Sequence, residues 1–134
     1  MNNAIQYINP DGLMKSPAFS QAVTTEGSGK TIYIGGQNAV NAQGEITGKD
    51  LPSQTEQVMQ NLVTALAACG ADMSHVVKLG IYIVQGQDAR SAYGAAQKYM
   101  TAPQPPAITG VMVAGLARPD FLVEVEAVAF VPAG

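Results

Sequence analysis

Residues 121–131 read Phe-Leu-Val-Glu-Val-Glu-Ala-Val-Ala-Phe-Val, a run in which apolar side chains alternate with Glu124 and Glu126. Alternation with a period of two is typical of a β-strand that packs one face against a core. Because the two glutamates are two residues apart, they leave the same face of this strand. The side chains expected on the covered face are Val123, Val125 and Ala127. The sequence therefore predicts a sheet with helices on one side.

Four further stretches have strand patterns, and they are residues 4–8, 31–37, 76–84 and 107–113. The last of these is separated from residues 121–131 by a short linker that contains Gly115 and Pro119. Turn residues between two apolar runs are typical of a hairpin, so we expect these two strands to pair with each other.

Two helices are predicted between these strands, over residues 52–69 and from Asp88 to about Met100. Ser53 and Glu56 have the spacing of a capping box at the start of the first helix. Asp88 is a suitable N-cap for the second helix. We expect a single α+β domain over residues 1–134, a mixed sheet with both helices on one face.

The second face of the sheet is expected to lie in a subunit interface. Charged residues make up 13% of the chain, which is about half the usual fraction in globular domains. The residues that would remain exposed in a monomer are apolar or aromatic, and a patch of this kind usually marks an interface. They are Tyr82, Val84, Val111, Val113, Leu122 and Val128.

Composition makes several classes of partner improbable. The net charge is −3 and the basic residues are scattered, which disfavours a nucleic acid as a partner. Cys69 is the one cysteine and His75 the one histidine, so we expect neither an internal disulfide nor a metal site. We also expect no signal peptide, no membrane span, no cofactor and a cytoplasmic location.

Several segments together resemble the Rid family, the reactive intermediate deaminases also called YjgF proteins, some of which were once named L-PSP endoribonucleases. The segments are Phe19–Ala22, Ile34–Gln37, Gln54–Leu62, Ala68–Gly70, Val76–Lys78 and Val123–Ala127. The resemblance implies a chorismate-mutase-like domain and a homotrimer with small-molecule clefts between its subunits. It also implies hydrolysis of reactive enamines or imines to keto acids and ammonia.

Site residues follow from the resemblance one position at a time. The catalytic glutamate of the family falls on Glu124. The substrate-binding positions fall on Phe19, Gly35, Tyr93, Ile108 and Gly110. Ile108 stands where active members have an arginine that anchors the substrate carboxylate, and isoleucine cannot do this. Arg118 is a possible alternative anchor, which a neighbouring subunit would have to bring to the cleft.

Three functions remain open at this point. The first is an atypical deaminase whose substrate is neutral or less acidic, with Glu124 orienting water. The second is a non-catalytic trimer that binds a small metabolite, which the loss of an arginine at position 108 would suit. An endoribonuclease is the third, and the negative net charge of the chain disfavours it. Glu124 itself has a plainer interpretation as a solvated residue on the wet face of the sheet.

Overall fold

The computed structural model describes residues 4–134, and these form six β-strands, two α-helices and two single-turn 3-10 helices. The strands are β1 (Ile5–Ile8), β2 (Ala22–Thr25), β3 (Gly29–Gln37), β4 (Val76–Val84), β5 (Ala107–Val113) and β6 (Val123–Pro132). The helices are α1 (Leu51–Ala68) and α2 (Ala89–Ala96), and the 3-10 turns are Met73–His75 and Gln97–Tyr99. The predicted α+β class is confirmed, and β2 is a strand with no counterpart among the predicted elements.

The main sheet has the strand order β3-β6-β4-β5, and β1 pairs with β2 in a separate antiparallel sheet. The predicted hairpin between residues 107–113 and 121–131 is wrong. β4 lies between the two strands, antiparallel to β6 and parallel to β5. The reason is the crossover through α2, which brings the chain back to the same end of the sheet and allows β4 and β5 to run in parallel.

One face of the main sheet packs against the helices, as predicted. Leu79, Ile83 and Val123 are almost fully buried there, together with Leu62 and Leu66 of α1. By alternation with Leu79, Val77 should also lie on this face, but a register shift between residues 76 and 78 makes Val76 the buried residue instead. A bulge of this kind moves one residue out of the alternation, and the period-two pattern does not show where it occurs.

The start of α1 differs from the predicted capping box. Asp50 is the N-cap, and its carboxylate accepts a hydrogen bond of 2.9 Å from the backbone N–H of Ser53. Glu56 is engaged elsewhere, since it pairs with Lys98 at 2.8 Å and accepts a 2.6 Å hydrogen bond from the Tyr99 hydroxyl. The hydrogen bond from Lys98, followed by that from Tyr99, lowers the pKa of Glu56. Glu56 therefore joins α1 to the segment after α2.

Gln54 is a buried polar residue that fixes the approach to β6. Its side chain is 1% exposed, and its Nε2 donates to the Asp120 carbonyl at 2.8 Å and to the Gly48 carbonyl at 3.3 Å. Its Oε1 accepts a hydrogen bond of 2.8 Å from the backbone N–H of Leu122. One side chain of α1 thus satisfies three backbone groups in two loops.

The second face of the sheet is only partly apolar. Tyr33 is 79% exposed and Val111 is 42% exposed. The other residues expected to be exposed there, Tyr82, Val84, Val113, Leu122 and Val128, are half-buried within the subunit. The exposed patch is therefore smaller than the sequence predicts, because side chains of neighbouring strands cover one another. No helix among residues 4–134 is long and apolar enough to cross a membrane.

Candidate functional site

A cleft of about 790 Å³ opens between α2, the proline-rich segment 102–106 and β5. Phe19 reaches it because the following residue, Ser20, is tied to that segment. The backbone N–H of Ser20 donates to the Pro106 carbonyl at 2.9 Å, and its hydroxyl donates to the Pro105 carbonyl at 2.6 Å. The cleft gathers four of the residues singled out in the sequence, which are Phe19, Tyr93, Ile108 and Gly110.

Ile108 and Gly110 lie on the covered face of β5, opposite Leu79 and Ile81 of β4. Ile108 is half-buried and packs against the core, so it gives the cleft an aliphatic floor. Gly110 leaves room for Tyr93, whose hydroxyl oxygen would stand 2.9 Å from a Cβ at position 110. A side chain at this position would have to displace the phenol, so the glycine leaves the space that the Tyr93 hydroxyl occupies.

Arg90 also lines the cleft, which the sequence analysis did not predict. It lies three residues before Tyr93 in α2, and this spacing places two side chains next to each other on a helix. The Arg90 side chain is 92% exposed, and its Nε lies 3.3 Å from Oδ1 of Asp88. Among the described residues that line the cleft, Arg90 is the only one with a charged side chain.

Glu124 lies on the opposite face of the sheet, in register with Tyr82. Its carboxylate rests on the bulge after Ile34, where its Cδ would stand 2.7 Å from a Cβ at Gly36. Asn38 donates a 3.2 Å hydrogen bond to Oε1 of Glu124. Gly35 precedes Gly36 in this bulge and is exposed. Within one subunit, the sheet therefore separates Glu124 from the cleft that holds Tyr93.

Glu126 is held in a different way on the same face. Tyr82 donates a 2.7 Å hydrogen bond to Oε2 of Glu126, and this bond, followed by the negative charge of Glu126, raises the pKa of Tyr82. The carboxylate of Glu126 also lies over a glycine, since its Oε2 would stand 2.7 Å from a Cβ at Gly80. The two neighbouring glutamates are thus distinguished by their partners, an amide for Glu124 and a phenol for Glu126.

Arg118 and His75 have structural contacts outside the cleft. Nη1 of Arg118 donates to the Gly44 carbonyl at 3.0 Å, and the guanidinium lies 5.2 Å from the centre of the Phe121 ring. Nδ1 of His75 accepts a 3.0 Å hydrogen bond from the backbone N–H of Asp72. Arg118 therefore does not reach the cleft of its own subunit. Within residues 4–134, no three His, Cys, Asp or Glu side chains are grouped to hold a metal ion.

The comparison with known families gives a match over most of the chain. The model described as "Endoribonuclease L-PSP" matches residues 13–131. The chain belongs to the Rid (YjgF) family. This confirms the family that the sequence segments indicated. A Rid-family protein of Yersinia pestis, YyfB, has a similar structure, with a TM-score of 0.83, 40% identity, and coverage of 94% of this chain and 98% of that one.

Other Rid relatives have a range of names. Protein DfrA of Myxococcus xanthus is 37% identical over 83% of each chain. A protein of Mus musculus named 2-iminobutanoate/2-iminopropanoate deaminase is 31% identical, over 86% of this chain and 85% of that protein. The chain therefore has the Rid fold, and the family includes relatives with deaminase names.

Proposed function

We propose that this Rid protein hydrolyses a small reactive enamine or imine in a cleft between subunits of a homotrimer. The observation that carries the proposal is the convergence of Phe19, Tyr93, Ile108 and Gly110 on one mainly apolar cleft. The deaminase names of the relatives from Mus musculus and Dermatophagoides farinae support the reaction class. We place the activity in the cytoplasm, in keeping with a chain that has one cysteine.

The reaction adds water to the imine carbon and releases ammonia. A carboxylate that accepts a proton from the attacking water increases its nucleophilicity, and the carboxylic acid then returns the proton to the departing nitrogen. The C–N bond breaks as the C=O bond forms, so one imine and one water give one carbonyl compound and one ammonia. We assign this role to Glu124. Gly35 lies in the bulge on which the Glu124 carboxylate rests, so we place it in the same half of the site.

Glu124 would have to come from a neighbouring subunit. In its own subunit it faces away from the cleft, whereas β5 is an edge strand whose free side another copy can approach. Contact with another copy would also cover the apolar residues that are exposed on the second face of the sheet. A site with residues from two subunits explains why neither half alone is complete.

The trimer gives the first expected result. Sedimentation equilibrium at micromolar concentration should give a mass of three times the 13.9 kDa subunit. The exposed Tyr33 and Val111 should become protected from solvent in the assembly, because they lie on the face without helices. A stable monomer at this concentration would remove the second half of the site and, with it, the proposed function.

Ile108 gives a direct test of the activity. The wild-type protein should hydrolyse 2-aminoacrylate slowly, and Ile108→Arg should increase kcat/KM at least about tenfold, because a guanidinium can bind the carboxylate with two hydrogen bonds. The substrate can be generated enzymatically, and pyruvate formation can be followed with lactate dehydrogenase. Ile108→Met, which is also long but uncharged, is the control and should bring no gain. Equal rates for all three proteins would contradict the role assigned to position 108.

A binding protein without turnover is the second candidate. The aliphatic Ile108 favours it, because the cleft lacks a cation on its floor. If no enamine or imine is hydrolysed while a metabolite binds the trimer, this candidate takes first place. A ribonuclease remains the third candidate. Its weakness is that His75, the one histidine of the chain, is hydrogen-bonded to Asp72 and lies away from the cleft.

A further inference from the structure

Asn38 binds one oxygen of the Glu124 carboxylate and leaves the other free. Its Nδ2 lies 3.2 Å from Oε1 of Glu124, and within residues 4–134 this is the one hydrogen bond that the carboxylate accepts. The same Nδ2 donates to the Val123 carbonyl at 3.3 Å. Because both neighbours of this nitrogen are acceptors, the amide must turn its NH2 group and not its oxygen toward Glu124. Oε2 lies over Gly36, with no donor from the described chain.

The other polar side chains of this region are engaged elsewhere. Tyr82 is in register with Glu124, yet its hydroxyl donates to Oε2 of Glu126 at 2.7 Å. Gln37 lies at the end of β3, and its Nε2 turns back to the Gly35 carbonyl at 3.2 Å. The orientation of the Glu124 carboxylate therefore depends on a single amide.

Asn38 is itself held by the first helix. Nδ2 of Asn61, in α1, donates to the carbonyls of Asn38 at 3.0 Å and of Val40 at 2.9 Å. Gln57 lies one turn earlier in α1 and donates to Oδ1 of Asn61 at 2.8 Å, which fixes the orientation of that amide. These amides link α1, on the covered face of the sheet, to Glu124 on the opposite face. The carboxylate is thus tied to an element that is packed into the core.

We propose that Asn38 is a positioning residue for the hydrolysis: by binding Oε1 it presents Oε2 of Glu124 to the attacking water. The inference rests on the proposed function, in which Glu124 takes a proton from water. The amide of Asn38 donates to the carboxylate and takes no proton itself, so it acts only through Glu124. Asn38 is not among the residues that line the cleft, and its loss should therefore lower turnover without weakening substrate binding.

Asn38→Leu and Asn38→Asp test this, because both keep the approximate size of the side chain and remove its hydrogen-bond donor. With enzymatically generated 2-aminoacrylate, each should lower kcat about tenfold, as expected for a lost hydrogen bond to a charged group, and leave KM within about twofold of wild type. Asn38→Asp also adds a negative charge, so the pair of variants separates the missing donor from the added charge. If Asn38→Leu does not fold, Asn38→Asp, which keeps the shape, decides.

Asn41→Asp is the matched control, because the chain has a second pair of the same kind in an exposed turn. Nδ2 of Asn41 donates to Oε1 of Glu45 at 3.0 Å. Oδ1 of Asn41 accepts from the backbone N–H groups of Gln43 and Glu45, and aspartate keeps this oxygen. The kcat of this variant should stay within about twofold of wild type. A loss equal to that of Asn38→Asp would assign the effect to the added charge and overturn the inference.

A crystal structure of Asn38→Leu gives a readout that needs no activity. The Glu124 carboxylate should no longer occupy one position over Gly36. A carboxylate in the wild-type position overturns the inference, even if kcat falls, and so does a wild-type kcat in both Asn38 variants. If the wild-type protein hydrolyses no imine, the proposed function fails, and the position of the carboxylate in the variant alone decides whether Asn38 holds it.

Discussion

Glu124→Gln should reduce hydrolytic turnover at least about 100-fold, which is the lower range for the loss of a general acid–base group. Glutamine has nearly the same shape and keeps an oxygen that can accept the hydrogen bond from Asn38. It cannot take a proton from water. We therefore expect kcat to fall while the circular dichroism spectrum and the oligomeric mass remain those of the wild type. Steady-state kinetics on the best imine substrate measures the effect.

Two further variants show whether this effect is specific. Glu126→Gln changes the neighbouring acid on the same face, which Tyr82 holds, and turnover should stay within about threefold of wild type. Gly36→Ala keeps a glutamate at position 124 but puts a methyl group where its carboxylate now lies. The carboxylate must therefore move, and turnover should fall. If all three variants are as active as wild type, Glu124 is a solvated surface residue, and the binding protein becomes the better proposal.

Gln54→Leu should lower the free energy of unfolding by about 3 kcal/mol. Leucine has a similar size but cannot bond to the Gly48 and Asp120 carbonyls or to the Leu122 N–H, and each buried group left without a partner costs about 1–3 kcal/mol. Relaxation of the two loops toward water recovers part of this cost. Urea unfolding followed by circular dichroism gives the change. The comparison needs one fixed protein concentration, because the proposed association would contribute to stability.

Gln60→Leu is the matched control for this experiment. Gln60 lies on the same helix but is exposed, and its side chain contacts Glu56 at 3.4 Å. The substitution should change the free energy of unfolding by less than about 0.5 kcal/mol. A loss below 1 kcal/mol in Gln54→Leu would show that the loops at Gly48 and Asp120 find other hydrogen-bond partners.

Local sequence patterns predict the helices and strands of this fold better than they predict which strands pair with each other. The Asp88 cap of α2 and an apolar stripe along α1 are visible in the sequence, because a helix is stabilised by residues a few positions apart. The stripe consists of Val58, Met59, Leu62 and Leu66. Gly115 and Pro119 correctly indicate a turn before β6. They do not indicate which strand β6 pairs with, since this depends on contacts between residues far apart in the chain. The β-α-β order of β4, α2 and β5 was the available signal for a parallel pair.

The candidate site could be predicted in part. The resemblance picked out Phe19, Tyr93, Ile108 and Gly110, and the structure gathers them in one cleft. It also picked out Glu124, but the structure places this residue on the other face of the sheet, away from the cleft. Arg90 carries no sequence signal except its spacing from Tyr93. Gln54 begins one of the segments that carry the resemblance, but the sequence does not indicate its three hydrogen-bond partners, because they lie in loops whose conformations only the folded chain defines.

The position of β6 has a consequence for how the protein is made. β6 lies between β3 and β4, yet it is the last of the six strands to leave the ribosome. Until residues 123–132 emerge, β3 has no neighbour in the main sheet, and the inner edge of β4 is open. The nascent chain must therefore keep apolar strand edges unpaired through most of translation, a state that is prone to aggregation. Pairing of β3 with β6 joins residues about a hundred positions apart, so the main sheet closes only after β6 has been synthesised.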